Sequence, residues 1–285
     1  MSQSVTPKSV LITGCSSGIG RCVAFGLRQR GYRVFASARK PADVEALRAA
    51  GLECLQLDLD DPESIAAAVE QVLVATGGEI YALFNNGAYG QPGAVEDLTR
   101  EVLRAQLETN LLGWHDLTRR LLPLMRRQRA GRIIQNSSVL GLVAMPYRGA
   151  YNCSKYALEG LSDTLRLELR GSGISVSLIE PGPISSRFRE NAHAKFKQYI
   201  DAENSLHRDN YRAMEQRLVK QGPTTGFTLP PEAVLKKVIH ALESPRPRAR
   251  YAVTTPTYIF ATLRRLLSTR QLDWILRRAS GGGGR

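Results

Sequence analysis

A glycine-rich turn between an apolar strand and a helix, near the amino terminus, restricts the fold more than any other part of the sequence. Residues 10–12 (VLI) predict a buried strand, the turn reads TGCSSGIG over residues 13–20, and residues 21–30 predict a helix. Glycines let the backbone approach a pyrophosphate closely, and the start of a helix offers unpaired N–H groups and the positive end of the helix dipole. This order of elements predicts the first unit of a dinucleotide-binding α/β fold.

Strand-like and helix-like segments alternate through most of the chain, which indicates a parallel sheet covered by helices on both faces. A chain of 285 residues is long enough to bury one large core. We therefore predict an α/β, Rossmann-type doubly wound parallel sheet of about seven strands, in a single domain over residues 1–254. The predicted strands lie near residues 8–13, 32–38, 52–57, 80–85, 131–137, 174–180 and 249–253.

Tyr151 and Lys155 are spaced for proton transfer, and Ser138 lies thirteen residues upstream of the tyrosine. A phenol with an ordinary pKa of about 10 is a poor acid or base at neutral pH, so a fixed cation is needed to favour its ionised form. Residues four apart share one face of a helix, so Lys155 can supply that charge. The Ser138 hydroxyl could hold a carbonyl or alcohol oxygen beside the phenol. The same spacing taken alone is also typical of a solvated helix face.

The glycine turn and four later motifs together resemble the short-chain dehydrogenase/reductase family. The turn has the form TGxxxGIG, and the later matches, in chain order, are residues 85–88 (NNGA, where the family has NNAG), Asn110, Ser138 with the YxxxK pair, and residues 181–184 (PGPI). The resemblance spans roughly residues 8–190. The runs 11–20, 149–159 and 177–184 look most like bacterial NADP-dependent aldehyde reductases that resemble hydroxysteroid and retinol dehydrogenases.

The resemblance implies hydride transfer between C4 of a nicotinamide and a carbonyl carbon. Tyr151 would be the general acid or base, Lys155 would bind the nicotinamide ribose and lower the tyrosine pKa, Ser138 would orient the substrate oxygen, and Asn110 would extend the proton path. The implied cofactor-binding residues are Gly14, Ser16, Ser17, Gly18, Ile19, Gly20, Asp58, Leu59, Asn86, Gly87, Ala88, Tyr151, Lys155, Pro181, Gly182 and Ile184. The leucine stripe of the predicted helix at 157–170 is, taken alone, typical of packing in the core. In the resembling family it would partly form a dimer contact, so we expect a homo-oligomer, either a dimer or a tetramer.

The end of the second predicted strand favours NADP(H) over NAD(H). An enzyme that binds NAD usually places an Asp or Glu there to accept hydrogen bonds from the ribose hydroxyls. This chain has no acidic residue between Gly20 and Asp43, and the strand instead leads into Arg39 and Lys40. A guanidinium suits a 2′-phosphate, and no carboxylate would oppose that phosphate. Ordinary surface charge at a strand end is the alternative interpretation of Arg39 and Lys40.

The substrate is predicted to be a small hydrophobic aldehyde or ketone, or the corresponding alcohol. In the resembling family the segment after the sixth strand, here about 185–227, sets specificity, and its aromatic and charged composition predicts a mobile lid. Apolar side chains near the proposed catalytic residues favour a hydrophobic carbonyl compound over a sugar. The predicted substrate-contacting residues are Ser138, Leu142, Met145, Tyr147 and Phe188.

Other functions use the same sequence features. The same site would suit a reductase of 3-oxoacyl thioesters, or a hydroxysteroid or retinol dehydrogenase. The alternative from another class is a catalytically silent, membrane-associated NADP(H)-binding protein. In such a protein we would expect another residue in place of the Ser, the Tyr or the Lys, and all three are present. A pI near 9.9 suggests nucleic-acid binding as a further function, but the sequence contains no nucleic-acid-binding motif, and we expect no nucleic-acid partner.

The carboxyl-terminal extension, residues 255–285, carries much of the positive charge. Residues 245–285 contain nine arginines and one aspartate, mixed with large apolar residues, within a chain of net charge +13. No run reaches the roughly 18 apolar residues of a membrane span. The segment 255–278 could lie on an anionic membrane with Trp274 at the headgroups, or pack on the body or on a second subunit, which we favour. Residues 280–284 predict a flexible end.

The cysteines and histidines lack the spacing of metal ligands, so no metal is expected. No signal peptide is recognisable at the amino terminus. We therefore expect a cytoplasmic protein, with peripheral membrane association as the alternative.

Overall fold

Seven parallel strands form one sheet in the computed structural model, which describes residues 7–220, 222 and 225–279. The strands are β1 (Ser9–Ile12), β2 (Arg33–Ala38), β3 (Glu53–Gln56), β4 (Ala82–Asn85), β5 (Gly131–Asn136), β6 (Ile174–Glu180) and β7 (Arg250–Ala252). Their order is β3-β2-β1-β4-β5-β6-β7. Strands β2 and β3 are added on one side of β1 and strands β4 to β7 on the other, so the strand order reverses between β1 and β4. Ligands bind at the carboxyl ends of the strands beside such a reversal. The predicted doubly wound fold is confirmed, and the predicted glycine-rich end at 280–284 lies outside the described residues.

Helices cover both faces of the sheet. They are α1 (Gly18–Gln29), α2 (Pro41–Ala49), α3 (Pro62–Thr76), α4 (Arg100–Leu107), α5 (Gly113–Gln128), α6 (Gly149–Glu168), α7 (Phe188–Tyr199), α8 (Arg208–Val219), α9 (Glu232–Glu243), α10 (Thr255–Leu266) and α11 (Thr269–Ala279). Successive strand residues point to opposite faces, so Val10 and Ile12 pack with α1, α2 and α9, while Leu11 packs with α3, α5 and α6. This two-sided burial explains why the strands are apolar throughout rather than alternating.

The helical segment around Asn110 is interrupted. A π-helical turn, Glu108–Leu112, separates α4 from α5 and contains Asn110. Gly113 follows at once, and a Cβ atom there would lie 2.1 Å from the Leu59 carbonyl oxygen. Single π turns inside helices are frequent at functional sites. The interruption therefore places Asn110 in a backbone conformation that a regular α-helix would not provide.

The predicted lid consists of two helices, α7 and α8, with an apolar cluster of their own. Phe196 and Tyr211 are fully buried in this cluster, with ring centroids 5.2 Å apart. The Tyr211 hydroxyl accepts a hydrogen bond from the Ala94 N–H at 2.8 Å and donates to Asp97. These two aromatic side chains therefore anchor the lid to the loop after β4 and do not line a substrate cavity. Its predicted mobility stays a prediction.

The carboxyl-terminal helices α10 and α11 pack on the body of the domain. Phe260 and Leu276, at 8% and 6% exposure, contact Val139 and Val143 in the loop after β5. Trp274 remains 56% exposed, with the Arg278 guanidinium 3.7 Å from its ring centroid. The structure therefore shows the carboxyl-terminal segment packed on the body of the domain, which is part of the arrangement favoured from the sequence. In the described part of the chain, no helix combines the length and apolar character needed to cross a bilayer.

Candidate active site

Ser138 and Tyr151 meet where β5 ends and α6 begins. Ser138 precedes a short 3₁₀ turn at Val139–Gly141, and its Oγ accepts a hydrogen bond from the Leu140 N–H at 3.1 Å. Tyr151 lies in the first turn of α6. Burial raises the pKa of Tyr151 to about 12, while a hydrogen bond with Ser138 and the positive charge of Arg148 act in the opposite direction. The phenol is therefore protonated at neutral pH and can donate a proton.

Lys155 lies one turn further along α6 and is 1% exposed. Its Nζ donates to the Asn136 carbonyl at 2.8 Å and lies 4.3 Å from the Trp114 ring centroid and 5.6 Å from that of Tyr151. Burial lowers the Lys155 pKa to about 7, and the negative charge of Glu159 opposes this. Within the part of the chain that the structure describes, no carboxylate contacts the ammonium directly, so its charge depends on groups at longer range.

Asn110 is buried and its side chain is fully engaged. The Nδ2 group donates to the Tyr89 carbonyl at 2.8 Å and to the Ser154 hydroxyl at 3.3 Å, and Oδ1 accepts from the Tyr89 N–H at 3.2 Å. Ser154 belongs to α6, so these bonds connect the π turn to the helix of Tyr151 and Lys155. The side chain has a positioning role in this arrangement, which leaves the backbone carbonyl of Asn110 for the expected proton path.

The glycine turn packs directly against the loop after β4. Gly14 has a φ of +70°, and a Cβ atom there would lie 2.5 Å from the Gly87 Cα. A Cβ atom on Gly20 would lie 2.2 Å from the Gly14 carbonyl oxygen. The Thr13 hydroxyl accepts hydrogen bonds from the N–H groups of Asn86 and Gly87, both at 2.8 Å. No side chain fits between these segments, which leaves a bare backbone surface suited to a pyrophosphate.

The other predicted cofactor residues lie along the same carboxyl edge of the sheet. Those before or within the start of α1 are Ser16, Ser17, Gly18 and Ile19; the rest are Arg39 and Lys40 after β2, Asp58 and Leu59 after β3, Ala88 after β4, and Pro181, Gly182 and Ile184 after β6. Gly182 passes close to Thr254, because a Cβ atom there would lie 2.2 Å from its Oγ1. These residues therefore come from the ends of five strands at one edge of the sheet.

The predicted substrate residues are not all brought to Tyr151. Phe188 packs edge-to-face on Tyr151, with ring centroids 5.4 Å apart. Tyr147 instead packs against Tyr211, with centroids 6.0 Å apart, and so belongs to the lid cluster. Met145 packs with the cluster that holds α10 and α11. Leu142 is only partly buried, and its carbonyl accepts from the Arg264 guanidinium at 2.6 Å and from the Tyr156 hydroxyl at 2.9 Å.

A buried charged network lies behind Lys155, and the sequence did not predict it. The Arg250 guanidinium in β7 donates to Glu159, to Glu180 at 2.8 Å and to Asp163 at 2.6 Å. Glu159 also accepts from the Ser137 hydroxyl. Burial, and then the negative charge of Glu159, raise the Glu180 pKa to about 7. The position of Glu159 four residues after Lys155 is the one signal that could have suggested it.

Asn136 was also missed, although it connects the two halves of the site. Its carbonyl accepts from Lys155, and its Nδ2 donates to the Asn86 Oδ1 at 2.9 Å. Asn86 in turn donates to the Thr13 carbonyl at 2.9 Å. The proton-transfer residues are thereby connected to the glycine turn. The location of Asn136 at the end of a strand, two residues before Ser138, was the available signal.

Several known proteins are similar to this chain over most of its length. A family model for short chain dehydrogenases matches residues 8–197. An uncharacterized oxidoreductase, YbbO, of Escherichia coli is 45% identical over 272 residues, covering 95% of each chain. Human 17-beta-hydroxysteroid dehydrogenase type 1 is 34% identical over 260 residues, covering 86% of this chain and 77% of the human protein. The crystal structure of a short chain dehydrogenase/reductase from Burkholderia phymatum in complex with NAD has a TM-score of 0.76, with 26% identity and 95% coverage of both chains.

Proposed function

The chain belongs to the short-chain dehydrogenase family, and we propose that it is an NADPH-dependent reductase of hydrophobic aldehydes or ketones. The observation that supports this most is that Ser138 and Lys155 lie beside the protonated phenol of Tyr151. These three residues are at the end of the glycine-lined surface that would hold the dinucleotide. Family membership alone supports an oxidoreductase with a nicotinamide cofactor. The finer statements, NADPH and a hydrophobic carbonyl compound, rest on the arguments below.

In the proposed reaction, bound NADPH supplies the hydride to the carbonyl carbon. The Ser138 hydroxyl holds the carbonyl oxygen, and Tyr151 gives its proton to that oxygen as negative charge develops. Lys155 holds the nicotinamide ribose and, in its charged form, favours the resulting phenolate. The Asn110 carbonyl extends the path by which a proton returns to Tyr151. In the reverse direction the phenolate accepts the proton of the alcohol.

The preference for NADPH is inferred from the end of β2. Arg39 and Lys40 are both exposed there, and Gln56 holds the Arg39 backbone by donating to its carbonyl at 3.1 Å. No acidic residue lies between Gly20 and Asp43. An exposed guanidinium can bind a 2′-phosphate in a bidentate manner. The Arg39→Asp variant should therefore lose affinity for NADPH by far more than for NADH, whereas an unchanged ratio of the two dissociation constants would refute this assignment.

Hydrophobic substrates are proposed because an aromatic ring packs on the phenol of Tyr151. Phe188 packs on Tyr151, and a Cβ atom on Gly90 would contact both rings, at 2.7 Å from Phe188 and 3.4 Å from Tyr151. The similarity to a hydroxysteroid dehydrogenase also supports a largely apolar substrate. We further propose a cytoplasmic homo-oligomer. The four cysteines are all unpaired, and Leu161 and Leu167 of α6 are exposed, at 39% and 66%.

The test is the loss of NADPH absorbance with purified protein and a panel of medium-chain aldehydes, aromatic aldehydes, steroid ketones and 3-oxoacyl thioesters, repeated with NADH. Turnover with NADPH and aldehydes supports the proposal. Turnover confined to thioesters or steroids replaces the substrate class and keeps the mechanism. The Tyr151→Phe variant is the matched control, because it should still bind NADPH. Absence of turnover with every compound of the panel contradicts the proposed activity. Turnover that is retained in the Tyr151→Phe variant contradicts the role of the tyrosine.

A further inference from the structure

We propose that the substrate carries an oxyanion, a carboxylate or a phosphate, and that Arg148 binds it while the carbonyl lies at Tyr151. This inference rests on the proposed function and adds a specificity-determining residue to it. Arg148 is the residue immediately before α6, and Tyr151 follows it by three residues, which is close to one helical turn. The guanidinium and the phenol can therefore contact two ends of one small molecule.

The backbone before α6 is held in a fixed and uncommon conformation. Tyr147 has a φ of +59°, which is rare for an aromatic residue. Its ring packs on His207 and Tyr211, with centroids 5.5 and 6.0 Å away, and its carbonyl accepts from the Gly93 N–H at 3.1 Å. Arg148 itself bridges to Gly93. The lid and the loop after β4 thus fix the direction in which the Arg148 side chain leaves the backbone.

The Arg148 side chain forms no hydrogen bond or ion pair with any residue in the described ranges 7–220, 222 and 225–279. It is partly buried, and burial lowers its pKa, with the positive charge of Arg217 in α8 lowering it further. Against these two effects, ionisation of Tyr151 would favour the charged guanidinium, but that phenol is protonated at neutral pH. A partly buried guanidinium that has no hydrogen-bond or ion-pair partner within the described ranges is unfavourable, and an anion bound to Arg148 would remove this cost.

Acidic residues of the same region are already engaged elsewhere. Glu96 interacts with His207, and Glu215 pairs with Lys197 at 2.7 Å. Asp97 accepts hydrogen bonds from Tyr211 and from Ser205. No carboxylate among these neutralises Arg148. The charge is therefore available to a substrate, and its planar donors suit the two oxygens of a carboxylate or phosphate.

The experiment compares matched aldehydes that differ only in charge. With NADPH, kcat/KM is measured for 4-formylbenzoate, for 4-formylphenyl phosphate and for the neutral methyl 4-formylbenzoate, in the wild type and in Arg148→Gln. The wild type should prefer one of the two anions over the ester, and which anion it prefers distinguishes carboxylate from phosphate. In Arg148→Gln the preference should fall about 10- to 100-fold, as expected when one charged hydrogen-bonded contact is lost. The ratio cancels any effect of Arg148 on Tyr151 itself.

Two control variants separate charge from structure. Arg148→Lys keeps the charge and should retain part of the preference, whereas Arg212→Gln removes an exposed arginine of α8 and should leave it unchanged. If Arg148→Gln does not fold, competitive inhibition of wild-type ester reduction by benzoate, absent for toluene, gives the same answer. Equal wild-type rates for the ester and both anions, or a preference unaltered in Arg148→Gln, overturn this inference alone. Absence of NADPH-dependent turnover with every aldehyde overturns the proposed function instead.

Discussion

Replacing Arg250 with Met should destabilise the protein by about 3–5 kcal/mol at pH 8, because it leaves two buried carboxylates without their cation. Glu159 and Glu180 are only 6% and 3% exposed, and both accept hydrogen bonds from the Arg250 guanidinium. The third partner, Asp163, has a side chain that is 39% exposed and contributes little by comparison. Met covers about the length of the aliphatic part of the arginine side chain, so the change removes the charged guanidinium and keeps the packing of that part.

The pH dependence of this effect follows from the carboxyl groups. In the wild type the Glu180 pKa is raised from 4.5 to about 7. A raised pKa in the folded state means that this stability is fully present below pH 4.5 and is lost as the pH rises through about 7. At about 1.4 kcal/mol per unit, the loss from Glu180 is about 3 kcal/mol. Without Arg250 the pKa values of Glu159 and Glu180 rise further, so the loss continues at higher pH. The difference between variant and wild type is therefore small near pH 5 and largest above pH 8.

Urea unfolding followed by circular dichroism at pH 5, 7 and 8.5 measures these free energies of unfolding. Asp163→Asn is the control, with an expected change below about 1 kcal/mol. In the triple variant Arg250→Met, Glu159→Gln, Glu180→Gln, the neutral side chains should recover most of the stability at pH 8.5. The reasoning fails if Arg250→Met costs the same at all three pH values, or if the triple variant is no more stable than Arg250→Met at pH 8.5.

Three further predictions concern other parts of the molecule. Tyr151→Phe should lower kcat by about 10²- to 10⁴-fold, while NADPH fluorescence titration gives an unchanged dissociation constant. Gly14→Ala should abolish measurable NADPH binding, because the new Cβ atom would lie 2.5 Å from the Gly87 Cα; wild-type affinity would contradict the glycine-lined surface. Leu276→Ala, at a site 6% exposed, should lower stability by about 2 kcal/mol in thermal unfolding. Leu266→Ala, at 74% exposure, should change it by less than about 0.5 kcal/mol, and equal effects would refute the packing of α11.

Sequence patterns predicted the sheet well because strand formation in this fold depends on short apolar runs. All seven predicted strands are present, with bounds that differ from the structure by two residues or fewer at each end. Prediction from the sequence was poorer where the conformation or contacts of a residue depend on segments that are distant in the chain. No pattern in the sequence indicated the π turn at Asn110, which lies directly before the close approach of Gly113 to the Leu59 carbonyl. Likewise Tyr147 was predicted to contact substrate, but the lid helices bury its ring.

The sequence by itself determined the fold class and the family, since the glycine turn, the alternation of strand-like and helix-like segments and the YxxxK spacing can each be recognised in short stretches of the chain. Only the tertiary structure decided what surrounds these groups. Arg250 reaches Glu159 across 91 positions, and Arg217 of the lid lies near Arg148. Contacts of this kind depend on how the strands and helices assemble, and burial then sets the charge of each group. No periodicity in the sequence encodes them, because their partners are neighbours only after folding.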